Sequence, residues 1–181
     1  MLKQKYILIY GIIILAIVSR FLPHMANVSI ITALGIFGAV YLPTKQAIAI
    51  PLLARLGSDL ILGFFSWPLM IAVYASHLFA VVIGLWVKRS KEDSAGRWIR
   101  IGSAGFLSAI IFFLATNFVM LYPNYYPQTF EGLIMSYTNG LPFLRGTVIG
   151  DIGYTFILFG SWALVRKFAS AKVSANTQVT G

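Results

Sequence analysis

The sequence predicts an all-α membrane protein of six transmembrane helices with both termini on the cytoplasmic side, and two observations carry that prediction. Of 181 residues, 59% are hydrophobic and 10% charged, a balance too apolar for a soluble domain with one core. The cations then border the apolar runs instead of interrupting them. Of the 14 Lys and Arg, only Arg20, Arg55 and Arg145 depart from a one-sided pattern; Lys3, Lys5, Lys45, Lys88, Arg89, Lys91, Arg97, Arg100, Arg166, Lys167 and Lys172 fall to a single face. Cation excess on one face marks the cytoplasmic side.

A crossing takes about 20 mostly apolar residues to span roughly 30 Å of hydrocarbon. Tyr6 to Leu22 is the first such segment; it follows Lys3 and Lys5 and has no small-x-small cleavage site after it, so it reads as a retained helix and not as a signal peptide. Val28 to Leu42 is the second and shortest, followed by Gln46 to Phe65, Trp67 to Val87, Trp98 to Tyr122 and Thr147 to Val165. Both chain ends, Lys45 and the Lys88–Arg100 loop then share the inner side. Pro23 to Asn27, a tight turn near Ser66 and the stretch 123–146 lie outside.

That outer stretch is too long to be only a connector. Tyr122-Pro123 and Asn139-Gly140-Leu141-Pro142 bracket an apolar run, which predicts a short amphipathic helix capped by Thr129 with Glu131 in its first turn. Residues 1–169 thus form a single six-helix domain, and 170–181 are expected to be a flexible cytoplasmic tail. Small residues inside the spans, Gly35 with Ala39, Gly146 with Gly150, and Ser103-Ala104-Gly105, predict close helix approach.

Composition also excludes. The net charge of +9 reads as topology, with the lipid bilayer as partner and no nucleic acid. With no Cys there is no disulfide, thiolate ligand or cysteine nucleophile. No P-loop, His-Glu-x-x-His or Gly-x-Ser-x-Gly signature occurs, so the chain is not expected to be an enzyme, and no cofactor or metal site is assigned.

Polar residues within the spans are costly and mark function or helix pairing. Arg55 and Asp59, four apart on the third span, share a helical face. They are either the floor of a ligand pocket or a structural ion pair. Asn117 and Asp151, near the outer ends of the fifth and sixth spans, belong to the same layer or else bond a neighbouring helix. Arg20, His24 and Arg145 sit where a side chain either snorkels to the headgroups or reaches a ligand. His77 lies at the centre of the fourth span, where it either bonds another helix or serves as the only good transition-metal ligand inside the membrane. Tyr126 and Tyr137, with Trp67, Tyr122, Tyr125 and Phe143, form an interfacial belt that would also serve as a stacking wall.

The order of Ser19-Arg20-Phe21-Leu22-Pro23-His24, Ala33-Leu34-Gly35-Ile36-Phe37-Gly38, Ser58-Asp59-Leu60, Thr116-Asn117-Phe118, Tyr126-Pro127-Gln128-Thr129 and Leu141-Pro142-Phe143 with Gly150-Asp151 resembles an uncharacterised family of bacterial transport proteins. That family is similar to the substrate-binding S components of energy-coupling factor vitamin transporters. The resemblance runs from Ser19 to Phe159 and implies an S-component-like bundle in the bacterial cytoplasmic membrane. It implies an outward pocket for a vitamin-like small molecule, cobalamin being one candidate, with transport driven by a separate coupling subunit and ATPases. The substrate-binding residues expected are Arg20, His24, Arg55, Asp59, His77, Asn117, Tyr126, Tyr137, Arg145 and Asp151. The alternative is a membrane scaffold of the bacterial cell-shape type, which binds protein partners and needs no charged pocket.

Overall fold

The computed structural model describes residues 2–19, 28–92 and 94–179. Among them all regular structure is helical: α1 (Leu2–Ser19), α2 (Ile31–Tyr41), α3 (Thr44–Leu62), α4 (Trp67–Lys88), α5 (Ala95–Thr116), one 3-10 turn (Val119–Leu121) and α6 (Phe130–Val179). Among the described residues three stretches are long and apolar enough to cross a membrane: Trp67–Lys88, Ala95–Thr116 and Phe130–Phe168. α2 is apolar but only 11 residues long, about 16 Å at the helical rise. α3 carries Lys45, Arg55 and Asp59 within 19 residues, which lowers its apolarity.

α2 is the axis of the bundle. Every residue from Ile31 to Val40 is buried, as expected of a helix that is apolar on all sides. It packs on α3, α4 and α6 and touches α1 and α5. The chain leaves it at Leu42, whose extended backbone (φ −114°, ψ 164°) is the conformation that the following Pro43 enforces. Tight packing requires glycine at α4: a Cβ on Gly84 would lie 2.7 Å from the Ile36 carbonyl oxygen and 2.7 Å from Ala39 Cβ. α1 joins the core through Ile9 and Ile13, four apart on one helical face.

The cations gather at one end, which we call the basic end. Here Phe37, Tyr41, Phe159 and Trp162 form an aromatic cluster, with the Phe37 and Phe159 rings edge-on at 5.3 Å. Arg97 lies over Tyr41 at 5.6 Å and donates to its hydroxyl at 3.1 Å. Arg100 lies over Trp86 at 5.0 Å, and Arg166 pairs with Glu92 at 3.0 Å. At the opposite end, the rim, α3 stops at Gly63. Its φ of 97° is one that glycine reaches at little cost, and the N–H there donates to the Asp59 carbonyl at 2.9 Å. Gly63 to Ser66 then turn the chain into α4.

The largest departure from the sequence expectation is α6. Segment 123–146 is expected to hold its own short helix, ended by Asn139-Gly140-Leu141-Pro142, and the tail from 170 to fray. Instead one helix of 50 residues runs from Phe130 to Val179, about 75 Å long. Its start follows the sequence, since Thr129 Oγ1 accepts from Gly132 N–H at 3.3 Å. The break does not occur because tertiary contact outweighs local preference: Gly140 is buried against the Asn117 side chain and the Phe113 ring, and Pro142 sits inside the helix. Beyond Ser170 the sequence has no Gly or Pro before Gly181 to stop the helix.

Candidate functional site

The rim holds a cavity of about 430 Å³ between α3, α4, α5 and α6, within the size range of small-molecule sites. Its polar anchor is built on α3. The four-residue spacing sets Arg55 and Asp59 on one face, and Arg55 Nε donates to Asp59 Oδ2 at 2.9 Å. The Tyr74 hydroxyl, from α4, donates to the same oxygen at 3.0 Å. Asp59 is 2% exposed, so its charge is compensated by a cation and a hydroxyl and not by water. The Arg55 guanidinium carbon lies 5.3 Å from the centre of the Phe65 ring, completing the positioning of this side chain.

Each polar side chain of the remaining walls spends a donor internally. Thr116 Oγ1 donates to the Phe112 carbonyl at 2.8 Å, Thr147 Oγ1 to the Phe143 carbonyl at 3.1 Å, and Asn117 Nδ2 to the Phe113 carbonyl at 2.9 Å. The Tyr122 hydroxyl closes on the Thr116 carbonyl at 2.6 Å. All four residues line the cavity with Arg55. Arg55 differs from them: among the described residues its terminal nitrogens meet no acceptor, its one polar contact being through Nε. A guanidinium held by Nε still offers a fork of N–H donors, which matches a planar anion. Aromatic rings of Phe65, Phe112, Phe113 and Phe143 supply the apolar remainder. Chemically, the arrangement can grip an acceptor group and bury an apolar body.

The sequence-derived residues divide into several groups. Arg55 and Asn117 line this cavity, and Asp59 holds Arg55 from behind. His77 does not line it: the imidazole is buried behind the wall, 6.0 Å from the Phe112 ring. Asp151 lies elsewhere, 2% exposed, with Thr32 of α2 as hydrogen-bond partner and its Oδ2 unsatisfied among the described residues. α5 passes it so closely that a Cβ on Gly105 would lie 2.9 Å from the Asp151 carbonyl oxygen. The single polar layer expected from the sequence is thus resolved into a rim cavity and a separate buried carboxylate. Depth in the bilayer can be read from chain position, but the direction in which a side chain points around a buried helix cannot.

Tyr126 accepts from Asn139 Nδ2 at 3.2 Å and meets Tyr122 edge-on at 6.1 Å. Tyr137 donates to the Leu114 carbonyl at 2.9 Å, with its ring against Phe113. Both brace the lining from behind. Arg145 is exposed on α6. Arg20 and His24 fall outside the described residues. Sequence patterning does not single out Tyr74, Phe65, Phe112 or Thr147. An apolar or hydroxyl residue inside a span carries no mark of whether it faces lipid, a partner helix or a void. Among the described residues no cluster of three or more His, Cys, Asp or Glu is placed to hold a metal ion.

Over residues 1–174 the chain matches the family of unknown function DUF6580. It belongs to that family. No curated protein and no solved structure matches it. Nearly the whole bundle of this DUF6580 chain, including every residue around Arg55, falls within the matched range.

Proposed function

We propose that this chain is a substrate-capture protein of the bacterial cytoplasmic membrane, S-component-like, that binds a small vitamin-like molecule in the Arg55 cavity and carries out no chemistry on it. In this reading all six helices cross or enter the bilayer, with both termini and the basic end in the cytoplasm. The cavity then faces outward. Separate coupling and ATPase subunits drive release, in keeping with the lack of a P-loop in the sequence.

The observation that carries the reading is the Arg55 guanidinium, fixed through Nε by Asp59 and lining a cavity in which each other polar side chain already gives a donor to a backbone carbonyl. Asp59 is buried while the Arg55 side chain is 17% exposed, so the terminal N–H groups are left open to whatever fills the cavity. The ligand that fits presents a single planar anionic or carbonyl group to Arg55 and an aromatic or aliphatic body to the phenylalanines. A volume of about 430 Å³ favours such a molecule over a corrin.

Native mass spectrometry of the full chain purified in mild detergent tests the proposal. Wild type is expected to carry a bound small molecule, and Arg55→Lys, which keeps the charge but loses the fork, to carry far less. Equal occupancy of the two, or an empty wild type that takes up no vitamin-like carboxylate, would contradict capture and favour the scaffold alternative.

A further inference from the structure

A second concavity adjoins the first. It measures about 520 Å³ and is lined by Leu56, Phe64, Phe65, Trp67, Met70, Ile71 and Tyr74, at the junction of α3 and α4. Two of these residues tie it to the Arg55 cavity. Phe65 lines both spaces. Tyr74 walls the groove while its hydroxyl donates to Asp59, the residue that fixes Arg55. Toward the outside the groove is edged by exposed apolar groups, Trp67 at 75%, Ile71 at 65% and Phe64 at 56%. The groove therefore opens on an apolar face of the kind a bilayer would cover, and it meets the Arg55 cavity at Phe65, over whose ring the Arg55 guanidinium lies at 5.3 Å.

Resting on the capture reading, we infer that the ligand is a single-chain amphiphile with a carboxylate head, entering sideways from the membrane, its head on the Arg55 fork and its tail in the groove of Leu56, Met70 and Ile71. The head group follows from charge. Arg55 and Asp59 cancel each other, so the site has no cation to spare for a doubly charged phosphate, whereas the planar fork matches one carboxylate in two-point contact. The tail follows from the lining, which has no charged side chain and whose single hydroxyl, on Tyr74, is engaged by Asp59. Lipid chains cover any apolar membrane surface; this groove differs in sharing Phe65 with the cavity of an arginine whose terminal donors no described residue meets, and in its Tyr74 holding the Asp59 that fixes that arginine.

Equilibrium binding to the full chain in detergent, using tritiated palmitate, tritiated methyl palmitate and tritiated benzoate, tests the inference. Palmitate is expected to bind saturably and methyl palmitate about tenfold more weakly or worse, the loss of one charge-assisted contact. Leu56→Trp and Met70→Trp, which fill the groove from its two walls, are expected to weaken palmitate about tenfold, in line with the loss of a well-packed apolar contact, while benzoate binding is unchanged. Arg55→Lys is expected to weaken both acids. Equal binding of acid and ester, or palmitate binding indifferent to both groove variants, would overturn the inference. Benzoate binding that still depends on Arg55 would in that case leave the capture reading standing. If neither acid binds, both readings fall together.

Discussion

At the scale of single residues the molecule uses its few internal charges in two different ways. Arg55 and Asp59 are a pair, and removing one partner strands the other in a place with little water. Asp59→Ala is therefore expected to destabilise the protein by about 3–5 kcal/mol, read as a lowered melting temperature in detergent. Arg55→Met combined with Asp59→Asn, which removes both charges and keeps an acceptor for Tyr74, is expected to recover most of that loss while abolishing ligand binding. A double variant as unstable as Asp59→Ala would show that the pair's worth lies in its shape and not in mutual compensation. Asp151 is the opposite case. One oxygen is bonded by Thr32 and the other is unmet among the described residues, and none of those residues supplies a cation to compensate its charge. Asp151→Asn keeps the shape and removes that cost, so its melting temperature is expected to equal or exceed that of wild type. A fall of more than a few degrees would mean that the carboxylate has an ionic role which the fold does not reveal.

At the scale of elements, the bundle depends on the buried axis α2 and on the backbone approaches that glycine permits. Gly84→Leu would drive a side chain into the Ile36 carbonyl, an overpacking expected to cost about 1–3 kcal/mol. Gly57, on α3, has nothing within 4 Å of a built Cβ. Gly57→Ala there is expected to be neutral or to stabilise by up to about 1 kcal/mol. The pair of melting curves checks the packing, and similar losses at both positions would contradict it. These elements are legible in the sequence to different degrees. The small residues Gly35, Ala39 and Gly105 stand out as close-packing positions, because a small side chain inside a span does little except let two backbones approach. The helix start near Phe130 is legible from Thr129. The turn expected at Asn139-Gly140-Leu141-Pro142 does not form. Local turn chemistry is strong there, but Gly140 is held against Asn117 and Phe113 of α5, a contact that sequence spacing cannot show.

At the scale of the whole molecule, the segregation of cations from the cavity is the main result. Among the described residues Lys45, Lys88, Arg97, Arg100 and Arg166 cluster at one end through α3, α4, α5 and α6, while Arg55, in the cavity, and Arg145, exposed on α6 beside the lining residues Leu144 and Thr147, lie at the other. This polarity is legible directly, since charge position along the chain needs no structure to read. The same reading joins Arg55 to Asp59 and sets Asn117 and Asp151 in their layer; Asn117 lines the cavity and Asp151 does not, because position along a span gives depth but not facing. Capture from outside requires the rim cavity to be open to the exterior of the cell while the basic end is inside. The chain has no cysteine, so single substitutions report without background. Thr116→Cys in the cavity wall and Ser90→Cys at the basic end, each treated in intact cells with a membrane-impermeant maleimide, measure this directly. Under the proposed orientation Thr116→Cys is modified in intact cells and Ser90→Cys only after the membrane is disrupted. Modification of Ser90→Cys in intact cells, with Thr116→Cys protected until disruption, would contradict it.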